Sequence, residues 1–304
     1  MTYATTDRRV RKAVIPAAGL GTRVLPAAKA IPKEMLTVVD RPLIEYAVEE
    51  ARASGIEEVV LVSARGKEAM ENHFDRMAEL EALLAEKGKA RELRAVRQAT
   101  LAPGGLTTVR QQEALGLGHA IWCARHVVGD EPFAVLLPDD LVKAETPCLA
   151  QLIDAHARVG GSVAAVTDVP RDQTGKYGIL DVVDDGRSLV RARGVVEKPA
   201  PEDSPSTLSI IGRYVLDGAV MRELGRQETG AGGEIQLTDA IARSMTAAPF
   251  HGVRFAGTRF DCGSHAGYVA ATMAFALDHP EIADQTVASM RQLLDRHVDA
   301  ADAA

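Results

Sequence analysis

The chain has only three cysteines, Cys123, Cys148 and Cys262, an odd number at wide spacing. That argues against a disulfide framework and fits a reducing compartment, so the expected location is cytoplasmic. There is no run of Lys and Arg, and the formal net charge is -7. A nucleic-acid partner is therefore not expected, and anionic ligands must be held by a few local cations and backbone N–H groups. No apolar stretch approaches the length of a membrane span. The first apolar segment, 13–18, follows a polar and then basic start and is too short for a signal-peptide core. No histidine pair stands at zinc-ligand spacing. No internal repeat and no long Pro/Gly/Ser linker divides the 304 residues, a length that suits one large α/β domain or two small ones.

What is present is an alternation of apolar strands and amphipathic helices. Segments 59–62 and 133–137 are apolar without alternation, as central strands covered on both faces are, and Ala13-Val14-Ile15 reads the same way. Ile44, Ala47, Val48 and Ala51 keep helical spacing, with Pro42 near the first turn and Gly55 as the stop. Further helices are predicted over 119–127 and 147–158. The alternation predicts an α/β fold with a mostly parallel central sheet flanked by helices. Strand-like segments at 162–166, 177–183 and 208–216 predict mixed or antiparallel additions, and 200–207 reads as a surface loop. After Pro280 a terminal helix is expected with Ala283, Val287, Met290 and Leu294 on one face, frayed from Val298 onward. Such a stripe docks on its own core or, less commonly, on a second subunit.

The first predicted strand runs into Pro16-Ala17-Ala18-Gly19-Leu20-Gly21-Thr22-Arg23. Glycines let backbone N–H groups approach an anion, and Arg23 adds a planar fork for phosphate oxygens. The dinucleotide fingerprint fails because Val24 stands where its third glycine belongs, and the Gly-Lys-Ser/Thr of a Walker loop is absent. A plain strand–turn–helix connection would also use glycine, but Arg23, Lys29 and Lys33 crowd the same segment and favour phosphate binding. Asp139 and Asp140 follow the second apolar strand at its carboxyl end, where open α/β sheets place ligands. Adjacent side chains of an extended segment point to opposite sides, so one of the two faces the site and is a candidate Mg²⁺ ligand; a solvated loop pair is the alternative.

The stretch Ala18-Gly19-Leu20-Gly21-Thr22-Arg23, then Pro26, then Lys29-Ala30-Ile31-Pro32-Lys33-Glu34-Met35-Leu36, resembles the signature of the sugar-1-phosphate nucleotidyltransferases. Its K-A-I-P-K-E-M form is close to that of the bacterial UDP-glucose pyrophosphorylase branch. The similarity extends from about Lys12 to about Asp278 through several separated motifs. The resemblance implies a Rossmann-like nucleotide-diphospho-sugar transferase fold, with a catalytic domain over 1–280 and a C-terminal helical extension over 281–304. It implies Mg²⁺-assisted reaction of UTP with glucose 1-phosphate, giving UDP-glucose and pyrophosphate, in a homo-oligomer that is a dimer or tetramer.

Residue by residue, the resemblance assigns Arg23, Lys33 and Lys198 to catalysis. It assigns Ala17, Ala18, Gly19, Gly21, Gln111 and Gly118 to the nucleotide, with a Gln amide matching the imide edge of uracil. Gly178, Glu197 and Lys198 fall to the sugar phosphate, and Asp139 and Asp261 to the metal. The block Gly230-Ala231-Gly232-Gly233-Glu234-Ile235-Gln236-Leu237-Thr238-Asp239 also looks family-like and is expected to lead into a helix near the site. A sister enzyme with another nucleotide or sugar shares the loop and is the nearest rival. A metal-dependent glycosyltransferase would carry D-x-D, whereas the chain has Pro138-Asp139-Asp140-Leu141. A non-catalytic sugar-nucleotide sensor would have lost the charged residues.

Overall fold

The computed structural model describes residues 9–302, with side chains described as far as residue 296. The polar start of the chain and residues 303 and 304 lie outside the described residues. Thirteen strands occur among those described: β1 Lys12–Pro16, β2 Thr37–Val38, β3 Arg41–Pro42, β4 Glu58–Ser63, β5 Leu106–Arg110, β6 Phe133–Leu136, β7 Asp140–Lys143, β8 Ser162–Asp168, β9 Gly178–Asp185, β10 Leu189–Glu197, β11 Leu208–Leu216, β12 Phe250–Arg254 and β13 Thr258–Asp261. Nine form one sheet in the order β5-β4-β1-β6-β11-β8-β12-β10-β9. From β5 to β6 all pairings are parallel. Antiparallel β11 then joins β6 to β8, and β9 and β10 close the far edge.

The apolar runs read from sequence are the central strands. Val14, Val60, Val62 and Val135 point to one face, where they meet Ile121 and Ile241. Ala13, Ile15, Val59, Leu61, Ala134 and Leu136 point to the other, against helices Leu43–Ala53 and Cys148–Val159. A strand with both faces covered has no polar side to alternate with, which is why these segments read as unbroken hydrophobic runs.

Two local expectations change. The helix expected over 119–127 is two pieces, Leu117–Cys123 and Arg125–Val128, and three further helices (Glu68–Phe74, Ala78–Glu86, Ala90–Ala99) stand between β4 and β5. The last of them buries no residue fully. At the C-terminus, helix His265–Asp278 starts at Ser264, whose Oγ accepts from the Gly267 N–H, and packs against helix Ala283–Asp302. That final helix continues past Val298, and Leu294 of its expected docking stripe is exposed while Val287 and Met290 are half-buried. Among the described residues, no helix is long and apolar enough to cross a membrane.

The topology positions the site. Neighbouring parallel strands β1 and β6 end together, so Ala17 onward and Leu137 onward emerge side by side at the carboxyl edge. Strand β7 leaves the sheet there and pairs with β13, which sets Asp261 opposite Asp140. The register of β9 on β10 sets Gly178 opposite Glu197.

Candidate active site

One cavity of about 560 Å³ is lined by Arg23, Asp139, Tyr177, Gly178, Glu197, Lys198, Thr238, Arg259 and Asp261, among others. A second hollow of about 430 Å³ is lined by Ala18, Gly19, Lys33, Glu34, Gln111 and Gly116, and shares Arg23, Leu117, Leu137, Asp139 and Glu234 with the first. The two are lobes of one cleft, with Asp139 at the junction.

Asp139 lies between two cations. Lys33 Nζ lies 2.5 Å and Arg23 Nη2 3.6 Å from its Oδ2. Burial works against its charge, but the Lys33 ammonium and hydrogen bond, with Arg23 behind them, hold the carboxyl below the usual carboxylate range. Asp140 lines the same cavity, but its carboxylate is tied to protein. Its Oδ2 accepts from the Gly212 N–H at 2.7 Å and its Oδ1 from Arg259 Nε at 2.6 Å. Burial pushes its carboxyl up, against the pull of Arg259. With both oxygens of Asp140 engaged, Asp139 is the acid turned toward a ligand. The Cys262 N–H donates to the Asp139 carbonyl at 2.7 Å, which brings the start of β7 against the end of β13. A Cβ added at Gly263 would lie 2.9 Å from Arg23 Nη2 and 3.0 Å from Asp261 Oδ1, so Arg23 stands beside both acids. This donor set fits a magnesium ion, which takes one or two carboxylates and fills its remaining positions with water and phosphate oxygens. Among the described residues no cluster of three or more His, Cys, Asp or Glu offers a self-contained metal cage.

The sugar-side lobe is built around Glu197 and Lys198. Glu197 Oε2 accepts from Thr238 Oγ1 at 2.9 Å, and Oε1 lies 3.2 Å from Lys198 Nζ. A Cβ on Gly178 would come within 2.6 Å of Thr238 Cγ2. Lys198 has φ 45°, left-handed for a residue with a side chain and directly before Pro199, which disfavours helical backbone at that position. Its N–H donates to the Tyr177 carbonyl at 2.9 Å, which fixes the turn. Strain of this type persists where surrounding structure enforces it, commonly at functional sites.

Several expected site residues stand elsewhere. Of the loop, Ala18 and Gly19 line the cleft. Gly21 does not: its φ is 68°, and a Cβ there would meet Ala28 and Lys33 at 3.1 and 3.2 Å, so its glycine serves loop packing. Ala17 is also set back, with its carbonyl accepting from Lys67 Nζ at 2.5 Å. Gly118 is pressed against protein, since a Cβ there would sit 2.7 Å from the Ile235 carbonyl. Its small size admits the family-like block around Ile235, which carries Glu234, Gln236, Leu237 and Thr238 to the cleft wall. Lys29 is exposed and lines neither lobe.

Sequence reasoning missed Lys67, Glu34 and Arg259. Lys67 Nζ, 3.0 Å from Glu34 Oε2, ties the Lys33–Met35 turn to the Ala17 carbonyl. Burial raises the Glu34 carboxyl and lowers the Lys67 ammonium, each opposed by the other's charge. Lys67 follows the carboxyl end of β4, so the strand-end rule that found Asp139 could have found it too.

The nucleotidyl transferase family model matches residues 12–277. The chain is 54% identical over 255 residues to the UTP–glucose-1-phosphate uridylyltransferase of Komagataeibacter xylinus, covering 84% of this chain and 90% of that one. It is 47% identical to the enzyme of the same name from Bacillus subtilis strain 168, covering 95% of this chain and 99% of that one. The solved UTP-bound UGPase from Acinetobacter baumannii superposes with a TM-score of 0.84 at 42% identity, covering 94% of this chain and 98% of that one. The chain belongs to the nucleotidyl transferase family, in the branch of the UTP–glucose-1-phosphate uridylyltransferases.

Proposed function

We propose that this cleft is where the chain converts UTP and glucose 1-phosphate to UDP-glucose and pyrophosphate, with its charged residues dividing the work between two polyanions. The observation that carries the reading is the convergence of Arg23, Asp139, Lys198 and Asp261, from four separated segments, on one cavity. A phosphate oxygen of glucose 1-phosphate attacks the α-phosphorus of UTP in line. The new P–O bond forms as the bond to the bridging oxygen breaks, and pyrophosphate leaves with that electron pair. The nucleophile is already anionic, so no general base is needed. The obstacle is repulsion between the substrates.

Lys198 and Glu197 lie together in the sugar-side lobe, where the ammonium suits the attacking phosphate and the carboxylate a sugar hydroxyl. Arg23, 69% exposed at its side chain, is free to turn from the acids onto the triphosphate, and Lys33 stands behind it. Gln111 faces the other lobe, as a base reader must. Asp139 and Asp261 would hold Mg²⁺, whose chemistry is to neutralise phosphate charge and orient the reacting oxygens. The three free cysteines support a reducing, cytoplasmic setting. The catalytic unit is taken as 1–280, with 281–304 as an extension whose helix Ala283–Asp302 packs on helix His265–Asp278.

The test is a panel of UTP, dTTP and ATP against several hexose 1-phosphates, scored by pyrophosphate release with magnesium and again after chelation. UTP with glucose 1-phosphate is expected to lead the panel, and only with the metal present. Equal turnover of another pair would move the chain to a sister activity, and full activity after rigorous chelation would remove the metal from the reading.

A further inference from the structure

Gln111 lies at the end of β5 and is 8% exposed, yet it lines the lobe that holds the glycine loop. Both of its side-chain hydrogen bonds run from Nε2. One goes to the Gly116 carbonyl at 3.2 Å and the other to His119 Nδ1 at 3.0 Å. A carbonyl can only accept, so the bond to Gly116 identifies the amide nitrogen. With both N–H groups spent, the oxygen Oε1 is the group left for a ligand. Nδ1 can accept only in a neutral imidazole that carries its proton on Nε2. The surroundings favour that form. Burial lowers the His119 pKa and Arg125 adds to this, against Glu113. The ring is also held in place, stacked on Trp122 at 5.8 Å between centroids, with Arg125 on the Trp122 ring at 3.6 Å.

We propose that His119 is a positioning residue for base selection: its Nδ1, with the Gly116 carbonyl, locks the Gln111 amide so that only an acceptor faces the base. The inference rests on the reading of Gln111 as the base reader. An amide free to rotate would pair as readily with the lone pair on cytosine N3 as with the N–H on uracil N3. A locked oxygen accepts from the uracil N–H and meets the cytosine lone pair with repulsion. His119 has no place in the cleft lining and touches the substrate only through Gln111.

The test compares kcat/KM for UTP and CTP, at fixed glucose 1-phosphate and magnesium, in the parent chain, Gln111→Ala, His119→Ala and His119→Asn. His119→Ala removes one of the two acceptors and leaves the amide to the Gly116 carbonyl alone, so the UTP-to-CTP ratio is expected to fall about 3- to 10-fold, the range of one net hydrogen bond. Much of that change should come from improved use of CTP, which simple loss of structure would not produce. His119→Asn places an amide oxygen near the position of Nδ1 and should restore the ratio to within about twofold of the parent. If Gln111→Ala lowers the ratio but His119→Ala leaves it unchanged, Gln111 reads the base without His119 and the inference is overturned. If Gln111→Ala itself leaves the ratio unchanged, the base-reader assignment fails and the positioning role falls with it.

Discussion

Arg213 is the largest fully buried side chain, and the site rests on it. Its Nε and Nη2 lie 3.0 and 2.8 Å from Glu50 Oε2, and its Nη1 donates to the carbonyls of Leu137 at 3.0 Å and Gly212 at 2.9 Å. Glu50 Oε1 accepts from the Leu149 N–H at 2.9 Å. The guanidinium therefore joins helix Leu43–Ala53, strand β11 and the segment that leads from β6 to Asp139. Burial opposes its charge, but the charge and hydrogen bonds of Glu50 outweigh this and keep it protonated. Arg213→Met removes one partner and leaves a buried carboxylate with a single backbone donor. Breaking a buried pair in this way costs ~3–5 kcal/mol. Replacing both partners, Glu50→Leu with Arg213→Met, leaves no buried charge and should fall within about 1 kcal/mol of the parent. Urea unfolding at pH 7 followed by circular dichroism reads the stabilities, with pyrophosphate release read on the same samples. The double variant should be the more stable of the two yet remain impaired in activity, because the Leu137 carbonyl, kept by the Asp140 N–H alone, loses its tie to β11. A loss below about 1 kcal/mol in Arg213→Met would refute the reasoning, since a buried unpaired carboxylate cannot be that cheap.

Other outcomes follow from the site. Lys198→Ala and Asp139→Asn should each lower kcat/KM by at least ~100-fold with the fold intact by circular dichroism, and near-normal turnover in either removes that residue from the mechanism. Gly178→Ala drives a methyl into Thr238 and disturbs its bond to Glu197, so KM for glucose 1-phosphate should rise while KM for UTP changes little; equal rises in both would point to general distortion. Lys33 and Arg23 depress the folded-state pKa of Asp139, so that acid adds stability in full above its unfolded value of about 3.9, and the gain is lost as pH falls through the lower folded value. Lys33→Ala should therefore reduce the loss of stability on acidification below about pH 4, seen in urea midpoints against pH; an unchanged acid limb would separate Lys33 from Asp139.

The legible parts of this protein were those where one short segment carries its own explanation. Continuous apolar runs with small or branched residues become β1, β4 and β6 because both faces of those strands are covered. Helix Leu43–Ala53 was readable from its spacing and buries that face, whereas helix Ala90–Ala99 buries no residue fully. Ala18, Gly19, Arg23 and Lys33, which line the cleft, were legible as a group because glycines and cations crowd one short segment. Gly21 and Gly118 line neither lobe, and for a physical reason their sequence did not tell this. Glycine is required equally where a ligand approaches and where another piece of backbone does, and only the contacts with Lys33 and Ile235 distinguish the two.

By itself, the sequence determined the strand–helix alternation, the cationic glycine loop and the acids at the strand ends, because each is written in residues a few positions apart. The tertiary structure decided how the two acids of the cleft are engaged: the Gly212 N–H and Arg259 tie down both oxygens of Asp140, while Asp139 is left to Lys33 and Arg23. It also decided that Lys67 braces the loop and that His119 fixes the amide of Gln111. Hydrogen-bond partners are chosen by packing between distant segments, and a partner's identity cannot be read from either segment alone.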